Sequence, residues 1–205
     1  MKRSFFIFAI LFAMILPSCK GKAQQHQQQS FSGKKILVAY FSRRGNNYVN
    51  GNIVNLKVGN TDVVAKKIQV ITGGDLFYIQ TVKAYPEDYT KCTEVAEEEQ
   101  SANARPQLTA KVNNMADYDI VFLGYPNWWG TMPMAVFTFL ESYNFKGKTI
   151  IPFCTNEGSD MGSSESDIRK LCPSANVLSG LSIRGSKVNQ ADGKISEWLK
   201  ELNIK

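Results

Sequence analysis

The chain has 205 residues, 43% of them hydrophobic, which is enough for one substantial core and leaves no room for several independent ones. Lys and Arg outnumber Asp and Glu by 24 to 18, for a net charge of +6, yet the cations are scattered singly or in pairs such as Lys66-Lys67, which argues against a nucleic-acid partner. One histidine, His26, and four cysteines without a C-x-x-C pair leave no material for a histidine-activated nucleophile or for a zinc or iron–sulfur set.

Lys2 and Arg3 precede an apolar run that ends at Leu16-Pro17-Ser18-Cys19. A charged start, an apolar middle and a small residue at the end are the parts of a secretory signal. The run is shorter than the roughly 20 residues a membrane span needs. With Cys19 directly after Ser18 it resembles a bacterial lipoprotein signal over residues 1–18, and the resemblance implies that Cys19 is acylated and begins the mature chain. An ordinary secretory peptide is the alternative. Loss of residues 1–18 removes Lys2 and Arg3 and no acid, leaving a side-chain charge of +4, which suits anionic lipid headgroups. Residues 19–33 are Gln-rich without an apolar period, and read as a flexible tether. One folded domain is expected over residues 34–205. Of its three cysteines, Cys154 and Cys172 are a candidate disulfide, but three buried free thiols are the preferred reading.

In chain order, residues 35–41 form a continuous apolar run of strand length, as expected of a strand covered on both faces. Residues 76–80, 119–124, 148–153 and 176–182 supply four more strands. Between them Val64, Ala65, Ile68 and Ile71 mark one stripe of a helix that starts near Thr61. Residues 87–102 read as a second helix. Ala135, Val136, Phe139 and Leu140 mark a third, with Thr131 as its cap and Pro133 in its first turn. A short helix over residues 165–171 stops at Pro173, and Ile195, Trp198, Leu199 and Leu202 line a last one. Strand and helix alternate five times, which predicts an α/β fold with a parallel sheet between helices, in strand order 2-1-3-4-5. In such sheets ligands sit beyond the carboxyl ends of the strands.

Three loops emerge at that edge. After the first strand, Ser42-Arg43-Arg44-Gly45 leads, through an Asn- and Gly-rich stretch, to Gly59-Asn60-Thr61 at a helix start. Free N–H groups and hydroxyls there suit an anion, although for this pattern taken alone Asn60 or Thr61 capping the helix is the preferred reading. Neither G-x-x-x-x-G-K-[ST] nor G-x-G-x-x-G is present. The loop after the third strand, GYPNWWGTMP, sets Trp128 and Trp129 side by side among turn formers. The loop after the fourth strand, Cys154-Thr155-Asn156-Glu157-Gly158-Ser159, is short, polar and glycine-containing.

Taken together, ILVAYFS, GNTDVVAKKI, YPEDY, ARPQL, DIVFLGYPNWWGTMPMAVFTFLESY and KTIIPFCTNEGS resemble the flavodoxin family, more narrowly a bacterial branch with a Trp-Trp-Gly loop. The resemblance implies a flavodoxin-like three-layer sandwich and a non-covalent FMN site. Ser42, Gly59, Asn60 and Thr61 match the family's phosphate loop. Pro126, Asn127, Trp128, Trp129 and Gly130 match the loop beside the isoalloxazine. Thr155, Glu157, Gly158 and Ser159 match the loop at the ring's other edge. Residues 43–58 are an insertion in the phosphate loop, and SRRGNN makes Asn46 and Asn47 a competing alignment. Arg43 and Arg44 are unusual beside a phosphate site generally built from neutral donors; they would either strengthen phosphate binding or face solvent, and solvent is the preferred reading. Asn156 stands where related sequences often carry histidine. One indole is expected against the flavin and the other inward, without a choice between them.

The leading expectation is an exported, membrane-tethered FMN protein on the periplasmic side. It would pass electrons between redox partner proteins, or to a small-molecule acceptor, with no protein residue as acid, base or nucleophile. An NAD(P)H-dependent quinone reductase and a non-enzymatic module that has lost FMN are the alternatives.

Overall fold

The computed structural model describes residues 33–202. The expected signal, Cys19 and His26 lie outside the described residues, as does nearly all of the tether. Five sheet positions run in parallel. In chain order the strands are β1 (Ile36–Tyr40), β4 (Asp75–Tyr78), β5 (Ile120–Pro126), β6 (Thr149–Asn156), and a divided fifth, β7 (Asn176–Val177) and β8 (Leu181–Arg184). The spatial order is β4-β1-β5-β6 with β7 and β8 both on β6, which is the 2-1-3-4-5 order of the flavodoxin-like sandwich.

The continuous apolar runs follow from the two-residue period of a strand buried on both faces. Ile36, Val38 and Tyr40 of β1 face one cluster with Ile120 and Phe122 of β5, covered by helices α1 (Asn60–Thr72) and α5 (Asp192–Glu201). Leu37, Ala39 and Phe41 face the other with Val121, Leu123 and Tyr125, covered by α3 (Met134–Glu141) and α4 (Ser164–Leu171). Helix α2 (Tyr89–Ser101) buries only Cys92 and Ala96, and Asp88 caps it by accepting from Lys91 N–H at 2.9 Å.

The structure departs from the sequence reading in four places. Residues 45–56 are an antiparallel hairpin, β2 (Gly45–Val49) and β3 (Asn52–Leu56), turned at Asn50 and Gly51 with φ of 49° and 91°. Positive φ at both central positions is the two-residue turn that Asn-Gly favours. Strand β6 runs on through Cys154, Thr155 and Asn156, which were read as loop. The fifth strand breaks between its halves, which pair with β6 at residues 149–150 and 153–156. Ile150 accepts from Leu178 N–H on that side at 3.0 Å. Two residues on, Pro152 has no N–H to continue the ladder. Finally, Thr131 does not cap α3, whose N-cap position is held by Pro133; the Thr131 hydroxyl donates to Asp167 Oδ2 at 2.8 Å instead. Cys92, Cys154 and Cys172 are buried free thiols.

Candidate functional site

The three loops meet beyond the carboxyl ends of β1, β5 and β6 around a cavity of about 520 Å³, within the 300–1,000 Å³ range usual for small-molecule sites. Its wall includes Ser42, Asn60 and Thr61 from the first loop and helix start. Pro126, Asn127, Trp128 and Trp129 come from the second, and Thr155, Glu157 and Ser159 from the third. Gly59, Gly130 and Gly158 of the expected set do not line it.

At the first loop, Gly59 is required by contact. A Cβ there would fall 2.3 Å from Ser42 Oγ and 2.5 Å from the Arg43 carbonyl oxygen. This close approach lets Ser42 Oγ accept from Asp62 N–H at 3.1 Å while Val63 N–H bonds the Gly59 carbonyl at 3.2 Å. No acceptor among the described residues takes the N–H of Asn60 or Thr61. The open end of α1 therefore presents two donors and the positive end of its dipole to the cavity. The buried Thr61 and Thr155 hydroxyls bond at 2.8 Å and tie this helix end to β6.

In the second loop, Trp128 and Thr131 exchange backbone bonds, N–H to carbonyl, at 2.8 and 3.2 Å. Trp129 and Gly130 occupy the tip with φ of 51° and 84°. A bulky residue in the left-handed region is strained, and such strain clusters at functional sites. The tip is held by Asn127, whose Oδ1 accepts from Gly130 N–H at 3.0 Å and whose Nδ2 donates to the Asp160 carbonyl at 2.9 Å. The two indoles have different surroundings. Trp128 packs edge-on against Phe41 and Tyr85, with centroids 5.3 and 5.0 Å away. Trp129 is 50% exposed and donates from Nε1 to the Thr93 carbonyl at 3.0 Å.

In the third loop, Asn156 Oδ1 accepts from Gly158 and Asp160 N–H at 2.8 and 3.1 Å and so folds the turn. The Glu157 carboxylate is already engaged. It accepts from Ser186 N–H at 2.7 Å and, from the hairpin tip, from Asn50 N–H at 3.4 Å.

Several wall residues were not anticipated. Tyr48 comes from the hairpin, and Tyr89, Cys92, Thr93 and Ala96 from one face of α2; Asn47 of the competing alignment also lines the wall. Asn156, read only as a departure from the family pattern, also belongs to the wall. Burial raises the pKa of both the Cys92 thiol and the Tyr89 phenol, so both stay protonated at neutral pH. The hairpin thus crosses the site from α2 to Glu157. Arg44 is exposed, as expected. Arg43 is not in solvent; it is half-buried in the cavity wall, with its Nη atoms on the carbonyl oxygens of Asn46, Pro86, Glu87 and Asp88.

A family model described as flavodoxin matches residues 35–202. No curated protein matches the chain. Among solved structures it is similar to a Bacteroides eggerthii protein assigned as a flavoprotein, at 32% identity over 84% of this chain and 99% of that one, with a TM-score of 0.68. A Bacteroides uniformis protein assigned likewise is 29% identical over 82% of this chain and 99% of that one, with a TM-score of 0.63. A Lactobacillus acidophilus flavoprotein, solved in complex with FMN, shares the fold at 19% identity over 80% of this chain and 99% of its own, with a TM-score of 0.55.

Proposed function

Because the chain belongs to the flavodoxin family, we propose that it binds FMN non-covalently in the cavity at the carboxyl edge of the sheet and carries electrons between redox partners. The observation that carries this reading is the convergence of three loops with complementary chemistry. Two unclaimed helix N–H groups and the Ser42 hydroxyl stand at one side, a half-exposed indole at the other, and a polar turn between them. The wall fits the group: the Gly59 cradle admits close approach of an anion, and Trp129 offers a flat apolar face.

Bound FMN supplies the electron chemistry. This chain's residues would position it and keep water away. Asn60 and Thr61 N–H hold its phosphate, Trp129 flanks its ring, and the hairpin with α2 closes the remaining side. Tyr89 and Cys92 are protonated and Glu157 is engaged, so no wall residue stands ready as a base. That agrees with a carrier whose protein contributes position and electrostatics alone.

The proposal extends to place. Residues 1–18 would export the chain, Cys19 would carry lipid, and residues 19–33 would hold the domain of residues 34–205 on the periplasmic side of a membrane. A second reading, an NAD(P)H-dependent quinone reductase, draws on one observation. A smaller cavity of about 430 Å³ adjoins the phosphate loop and is lined by Arg44, Lys57 and Tyr78, groups suited to a phosphorylated aromatic donor. Titration of FMN followed by quenching of its fluorescence tests the main reading, and absence of quenching rejects it. Steady-state NADPH oxidation with a quinone separates carrier from reductase; only a reductase turns over without a partner protein.

A further inference from the structure

Arg43 joins two walls of the cavity. Its Nη1 donates to the Asn46 carbonyl in β2, and its Nη2 lies 2.6 Å from the carbonyl oxygens of Pro86 and Glu87, just before α2. All of these acceptors are neutral, and none of the ion pairs among the described residues involves Arg43. Its charge is therefore uncompensated in the wall of the site. The effect is felt by neighbours: burial raises the pKa of Cys92 and Tyr89, and the Arg43 charge pulls both back down.

The Nε atom adds to the cost of holding the side chain there. It is the one buried side-chain polar atom among the described residues without a hydrogen-bond partner. A buried donor left without an acceptor is costly and rare. Here it belongs to a residue that lines a cavity.

We propose that Arg43 is a ligand-binding residue whose positive charge holds the phosphate monoester of the bound flavin. The proposal rests on the FMN reading above. The phosphate is the favoured partner over the ring because the Arg43 backbone is part of the same loop. Its carbonyl oxygen packs against Gly59, beside the donors Ser42, Asn60 and Thr61. A phosphate monoester also brings about −1.5 to −2 charges at neutral pH, the greatest concentration of charge in the ligand. Arg43 thus adds a full charge to a site otherwise built from neutral donors, and ligand binding sets an anion beside a cation that the wall leaves unpaired.

The test compares FMN with riboflavin, which has the same ring and no phosphate, by fluorescence quenching on the full chain. Arg43→Met is expected to weaken FMN about 10- to 100-fold, to change riboflavin less than about twofold, and to flatten the salt dependence of FMN affinity. Arg43→Lys, which keeps the charge and loses Nε, recovers part of the FMN affinity. Equal losses for both flavins, or none for either, overturn the assignment and leave Arg43 as a clamp between hairpin and helix. A wild-type chain that quenches neither flavin rejects the FMN reading itself, whatever the variants do.

Discussion

The carbonyl oxygen of Gly130 occupies the space beside Gly162, where a Cβ would come within 2.0 Å of it. The contact holds the strained tip at Trp129, because Ser163 N–H donates to that carbonyl at 2.8 Å. Gly162 also has a φ of 56°, which favours glycine. Gly162→Ala should cost about 1–3 kcal/mol by overpacking and weaken FMN binding. Gly193→Ala is the control. It lies within α5 with nothing near its Cβ position, so about 0.5–1 kcal/mol of stabilisation is expected. Urea unfolding and FMN titration of both variants check the pair.

Trp128 and Trp129 should separate stability from binding. Trp128→Ala removes the ring packed on Phe41 and Tyr85 and should cost about 3 kcal/mol of folding stability. Trp129→Gly relieves the left-handed residue and loses the bond to Thr93, so stability should change by less than about 1 kcal/mol. FMN should bind about 2- to 12-fold more weakly, the equivalent of a lost aromatic stack. Equal effects of the two variants on affinity would contradict the division of roles.

Replacing residues 45–56 by a short link should leave the fold intact. No hairpin residue belongs to either core cluster, and Tyr48, Ile53 and Val54 are exposed. The hairpin covers the cavity, so its removal should speed FMN dissociation without unfolding the chain. Stopped-flow release of FMN alongside a thermal melt measures both.

Asp167 links loop stability to pH. Burial pushes its carboxyl up, but hydrogen bonds from Ser163, Thr131 and Lys170 outweigh this and hold its pKa below the ordinary value of 3.8. A carboxylate depressed in the folded state stabilises fully above its unfolded pKa, and that contribution is lost as pH falls through the folded value. Stability should therefore decline below about pH 4. Asp167→Asn should lower stability at pH 7 by about 1.5–3 kcal/mol and remove that part of the acid dependence. Thermal melts from pH 3 to 7 show whether the two curves converge at the acid end.

The sheet was legible because β1 and β5 are covered on both faces and so read as unbroken apolar runs. The hairpin was not, although Asn50-Gly51 is a strong turn signal. Strand β3 is almost wholly exposed, so its Asn-rich sequence carries no burial pattern and resembles a loop. Cys154, Thr155 and Asn156 were read as loop for a related reason, since polar residues at the end of a central strand look like its exit. The α2 wall was hidden because Tyr89, Cys92, Thr93 and Ala96 share no distinctive chemistry; only their spacing puts them on one face. Arg43 was misread because its acceptors are backbone carbonyls up to 45 residues away, which no local pattern announces.

Pro152 has an effect at the sheet's margin as well. By dividing the outermost position into pieces of two and four residues, it denies a neighbouring molecule the uninterrupted row of donors and acceptors on which a further strand could be added. At that edge one missing hydrogen keeps two copies from zipping together; the opposite edge, β4, is an unbroken strand of four residues.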